Sequence, residues 1–162
     1  MLAEFPDWDP STMPSPAVNA QTRKEWRDLG FFYDRDDTGR RWRLVGSKAG
    51  LAGFCQLLRR YVANPTNGQL SEHDHYGPYM YLKVMTWTEA NVDSNAIAGR
   101  LEDLSRLSTM LEARLAAASP GQSFEIGREY APASDYALEV QIADDGFDPA
   151  SADPYCADQP SP

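Results

Sequence analysis

The sequence predicts an α+β fold, a two-layer sandwich in which a mainly antiparallel sheet of about six strands, in the order ββα-ββα-ββ, carries two helices on one face. Three observations lead there. Aromatic and β-branched runs come in three pairs, each joined by a turn-rich segment. Two other stretches carry apolar residues at helical spacing. The links within each pair are short, which favours antiparallel hairpins over parallel crossovers. The chain has 162 residues, 42% hydrophobic and 24% charged, enough for one ordinary domain with its own core.

The elements follow in order. Residues 1–21, with Pro6, Pro10, Pro14 and Pro16 and no sustained period, read as a mobile N-terminal arm. A single domain is expected over 22–148. Leu29 to Tyr33 and Arg41 to Val45 flank Asp34-Arg35-Asp36-Asp37-Thr38-Gly39, a hairpin signal in which the glycine supplies the turn. Ser47 then caps a helix whose Leu51, Phe54, Cys55, Leu58, Tyr61 and Val62 share a face, and Asn64-Pro65 ends it. Gln69 to Tyr76 and Tyr79 to Trp87 form a second pair around Gly77-Pro78. Asp93 or Ser94 starts a longer helix with a stripe from Ile97 to Leu115, stopped by Ser119-Pro120-Gly121. Phe124 to Arg128 and Tyr136 to Ile142 make the third pair, in which Leu138, Val140 and Ile142 alternate with Glu139 and Gln141. Residues 149–162 read as an acidic, proline-rich tail.

Charge is unevenly spread. The net charge is -9, and residues 129–162 hold eight acids and no Lys or Arg. A basic stretch, Arg35, Arg40, Arg41, Arg43, Lys48, Arg59 and Arg60, lies within the near-neutral remainder. Such a chain steers a cationic partner toward its acidic end and disfavours counterion-release binding to nucleic acid, so no nucleic-acid partner is expected. No apolar run reaches the length of a bilayer span, and Met1 to Asp7 lacks the basic and apolar regions of a signal peptide. The expectation is a cytoplasmic protein with no membrane partner.

Two constellations stand out. Glu72-His73-Asp74-His75-Tyr76 holds both histidines of the chain, and on a strand His73 and His75 share one face. They form a possible ligand or metal site, with Glu129 or Asp135 as a third ligand, or a general base with its partner. Tyr79, Tyr81, Lys83, Met85 and Trp87 would line one strand face, with Met80, Leu82 and Val84 on the other. Two helices cannot cover both faces, so one can present aromatic anchors to a partner. Asp34 to Gly39 begins like a calcium loop, but Val45 stands where a bidentate glutamate is needed and Arg40 and Arg41 follow. Phosphate-loop, dinucleotide and nucleophile-elbow motifs are absent, and no cofactor is expected. Cys55 falls on an apolar helix face, Cys156 in the tail, and a bond between them stays open.

The run His75-Tyr76-Gly77-Pro78-Tyr79-Met80-Tyr81-Leu82, the Leu-rich helix after it, Glu129-Tyr130-Ala131, Tyr136-x-Leu138-x-Val140 and Gly146-Phe147-Asp148-Pro149-Ala150 together resemble predicted immunity proteins of bacterial polymorphic toxin systems. The likeness covers roughly residues 68–150 and assigns no functional residue. It implies a bacterial protein that shields its producer by binding a cognate toxin, with no reaction of its own. Joined to the residue patterns, it gives an acidic binding protein, monomer or homodimer. Asp144, Asp145 and Asp148 steer the toxin, and Tyr79, Tyr81 and Trp87 anchor it.

Overall fold

The computed structural model describes residues 15–156. The first element of the described residues is α1 (Pro16–Leu29), which the sequence pattern assigned in part to a mobile arm. The Ser15 hydroxyl accepts from the Val18 amide, Pro16 occupies the first turn where its missing N–H costs nothing, and Gly30, at φ 93°, closes the helix by donating to the Trp26 carbonyl. Only Asn19, Thr22 and Trp26 are buried on α1, so its inward stripe has one large apolar residue and no visible hydrophobic period. Residues 1–14 of the expected arm lie outside the described residues.

The α+β class holds, but the strands divide into two four-stranded sheets rather than one sheet of six. The first contains β1 (Phe32–Asp36), β2 (Arg41–Gly46), β7 (Ser123–Glu125) and β8 (Ala137–Ile142) in the order β1-β2-β8-β7. The second contains β3 (His73–Tyr76), β4 (Leu82–Thr86), β5 (Asn91–Val92) and β6 (Ile97–Gly99) in the order β3-β4-β6-β5. Each sheet is mixed. The outer pairs are antiparallel, whereas β2 runs parallel to β8 and β4 parallel to β6.

Among the described residues four helices, not two, accompany the sheets: α1, α2 (Lys48–Ala63), α3 (Leu101–Ala117) and the single turn α4 (Gly127–Tyr130). α2 and α3 pack on each other, α2 against β2 and α3 against β6. The expected start of α3 at Asp93 is corrected. Asp93 does accept two backbone amides, from Asn95 and Ala96, but the turn it caps joins β5 to β6, and Ile97 is a strand residue. α3 begins at Leu101, where the Asp103 carboxylate accepts the Arg100 amide. The β5–β6 turn also docks on the first sheet: Trp42 Nε1–H donates to the Asp93 carbonyl at 2.7 Å, and the Tyr136 amide to the Val92 carbonyl at 3.1 Å.

The core is continuous across both sheets. Trp26, Tyr33, Trp42, Leu44, Phe54, Leu58, Leu82, Ile97, Leu107 and Leu138 are among its fully buried members. β2, β4 and β8 alternate strictly between buried and half-buried residues, which is the pattern of sheets covered on one face.

Candidate functional site: the outer face of the second sheet

The register of β3 on β4 joins the two constellations that the sequence kept apart. His73 lies opposite Met85 and His75 opposite Lys83, and directly opposed residues share a face. Val84, one position on, is buried in the core, so His73, His75, Lys83 and Met85 lie on the outer face. Trp87 continues this alternation. Its amide donates to the Gly99 carbonyl, which extends the β4–β6 pairing, and its side chain is 41% exposed.

The two imidazoles meet edge to face with centroids 5.1 Å apart. His73 Nδ1 lies 2.9 Å from the Ser71 carbonyl oxygen and His75 Nδ1 2.8 Å from that of Met80. A carbonyl only accepts, so each Nδ1 donates in these contacts. The structure does not bring the expected third ligands to them. Glu129, on α4, is ion-paired with Arg114, and Asp135 is exposed in the link between α4 and β8. Among the described residues, no three His, Cys, Asp or Glu side chains are grouped to hold a metal ion.

Tyr79 and Tyr81 sit differently from the expected strand face. The chain between β3 and β4 makes a tight turn in which Gly77 has φ 75°, Tyr79 65° and Met80 57°. A side chain at Gly77 would strike Leu29 and Tyr33, which explains the glycine; at Tyr79 and Met80 the left-handed conformation is strained. Tyr33 clamps the turn, since its hydroxyl donates to the Pro78 carbonyl and accepts the Tyr81 amide. Tyr79 is therefore turned inward: its ring packs edge-on to Trp26 and its hydroxyl donates to Asp153 at 2.8 Å. Tyr81 is half-buried, stacked on Tyr79 at 6.4 Å.

The acidic residues are distributed over other parts of the molecule. Asp144 and Asp145 are exposed just beyond β8, in the first sheet. Asp148 is held by both ends of the Arg27 guanidinium, at 3.2 and 3.0 Å, and that bond keeps its carboxyl below the usual carboxylate range. Residues 149–156 of the expected tail fold back on α1, with Pro149–Ala152 forming a 3-10 turn; residues 157–162 lie outside the described residues. Asp153, which no sequence argument singled out, is 0% exposed and accepts from Trp26 Nε1–H, the Tyr79 hydroxyl and the Tyr155 amide.

The basic stretch is largely neutralised. Arg35 pairs with Asp37, Arg41 with Asp36 and Glu139, Arg43 with Asp34 at 2.6 Å, and Arg59 with Glu112, while Lys48 donates to the Ala118 carbonyl. An open cleft of about 400 Å³ lies between the end of α3 and β7, lined by Arg114, Gln122, Ser123, Phe124 and Ile142. Its cation is already paired with Glu129 and lies over the Phe124 ring at 4.6 Å. No helix among the described residues is long and apolar enough to cross a membrane. Compared with known proteins, the chain matches no family model, no curated protein and no solved structure.

Proposed function

We propose that this chain is a non-enzymatic binding protein that neutralises a cognate bacterial toxin by direct contact, with the outer face of the second sheet as its docking surface. The observation that carries the reading is Trp87, a large ring 41% exposed at the end of a strand whose outer row continues through Met85 to the paired His73 and His75. A tryptophan beside methionine and imidazole side chains offers wide apolar contact with polar edges, the composition of an interface centre. The net charge of -9, with Asp144 and Asp145 exposed, favours fast encounter with a basic toxin domain. Tyr79 and Asp148 serve here as internal supports, because their polar groups are engaged by Asp153 and Arg27.

The test is co-production with any toxin domain that genes adjacent to this chain's gene prove to encode. The native chain should restore growth and bind the toxin. Trp87→Ala should weaken binding about thirtyfold, the scale of an interface hot spot, while leaving thermal stability nearly unchanged. Asp144→Lys with Asp145→Lys should slow association at low salt and not at high salt. Native affinity in Trp87→Ala would remove the docking surface from the proposal, and absence of an adjacent toxin gene or lack of protection against its product would remove the immunity role.

A further inference from the structure

The segment Asp148–Cys156 contains the same local device twice. In Asp148-Pro149-Ala150-Ser151 and in Asp153-Pro154-Tyr155-Cys156, the aspartate carboxylate accepts the amide two residues on, at 3.1 Å from Ala150 and 2.8 Å from Tyr155. In both, the aspartate carbonyl accepts the amide three residues on, from Ser151 and Cys156. Each is an Asx turn stiffened by proline. Each also reaches neighbouring positions of α1, Asp148 through the Arg27 guanidinium and Asp153 through the Trp26 indole. The first contact is half exposed, whereas the second is sealed: Asp153, Trp26 and Cys156 are at most 1% exposed.

We infer that this segment is a clasp that locks the β3–β4 turn in its strained form, with Asp153 as the positioning residue that holds Tyr79 inward. The turn carries consecutive left-handed residues at Tyr79 and Met80, a conformation that persists only when its surroundings over-determine it. Three groups from separate parts of the chain do so. Tyr33 from β1 binds the Pro78 carbonyl and the Tyr81 amide, His75 from β3 binds the Met80 carbonyl, and Asp153 binds the Tyr79 hydroxyl. β4 starts two residues after Met80, so the clasp fixes where the outer-face strand begins. Opening it frees the turn while leaving the first sheet intact. This inference concerns conformation and stands independently of the toxin reading.

Amide hydrogen exchange on the full chain tests it. Asp153→Ala should speed exchange about tenfold or more at the Tyr81 amide and across 149–156, with Leu44 and Val140 at native rates, because the buried bonds to its side chain are lost. Tyr79→Phe, which deletes one hydroxyl, should speed exchange at the turn and leave 149–156 slower than in Asp153→Ala. Asp153→Asn, which keeps an acceptor for Trp26, should fall between native and Asp153→Ala, and it carries the test if Asp153→Ala fails to fold. Native exchange at Tyr81 in these variants, equal acceleration throughout the domain, or failure of Asp153→Asn to fold would each overturn the inference.

Discussion

Gly99 gives the sharpest test of how the second sheet is seated on the helices. A Cβ added there would lie 2.3 Å from the Tyr130 hydroxyl oxygen and 2.9 Å from Asp103 Cβ, inside any tolerable contact. The Tyr130 hydroxyl has no easy retreat, because it donates to the Ala98 carbonyl at 2.7 Å and its ring is 2% exposed. Relief requires either swinging the ring, which breaks that bond, or shifting α3 from β6. Overpacking of a tight core costs about 1–3 kcal/mol and a lost buried hydrogen bond about 1 more, so Gly99→Ala should destabilise by about 2–4 kcal/mol. Tyr130→Phe removes the colliding atom. Alone it should cost about 1 kcal/mol, for the lost bond to the Ala98 carbonyl. In the double variant the clash with oxygen is gone, so the two effects should fall short of additivity by about 1 kcal/mol or more. Equilibrium urea unfolding of the four proteins measures this directly. Additive effects within about 0.3 kcal/mol, or a neutral Gly99→Ala, would refute the packing of α3 and α4 against β6 described above.

Three further outcomes are expected. Cys55 and Cys156 are each 1% exposed, and burial pushes their thiols up to about 11 and about 12, so neither should react with a disulfide reagent at pH 8 until denaturant is added; prompt reaction of Cys156 in the native protein would mean that the C-terminal segment is open. Met80 is 59% exposed at φ 57°, so Met80→Gly exchanges a left-handed strain of about 1–2 kcal/mol for a smaller entropic cost and should be neutral or stabilising by up to about 1 kcal/mol, read by the same urea series. Arg27 depresses the Asp148 carboxyl, so that pair stabilises the folded state above the ordinary carboxylate range and the contribution is lost as pH falls through the lowered value. Because both groups are roughly half exposed, Asp148→Asn should cost no more than about 1 kcal/mol at pH 6 and nothing near pH 2, and a difference that persists in acid would assign the loss to something other than this ion pair.

What the sequence made legible was local. The β1–β2 hairpin, the Ser47-capped α2 and the pairing of β7 with β8 each rest on signals within a few residues, and all three appear, although β1 starts at Phe32, three residues later than the run suggested. The missing elements lacked such signals. α1 buries a single large apolar residue, and its Ser15-Pro16 start looks like one more extended proline. β5 and β6 have two and three residues, too short to show alternation, and they hide behind an Asp93 that caps a turn as readily as a helix. The parallel pairing of β2 with β8 joins segments about a hundred residues apart, which no local pattern encodes. For the candidate site, the shared face of His73 and His75 was readable from their spacing, but their union with Met85 and Trp87 depends on the β3–β4 register. Asp153 was missed because charge composition assigned it to a solvated tail; the repeated Asp-Pro pair, five residues apart, was the available sign of two built turns.

Hydrogen–deuterium exchange of the chain, alone and with a toxin against which it protects, tests most directly the proposed docking of a toxin on the outer face of the second sheet. Slowed exchange is expected only across 71–76 and 82–87, with the cleft between α3 and β7 unchanged. Protection centred on that cleft or on the first sheet, with 82–87 unaffected, would contradict it.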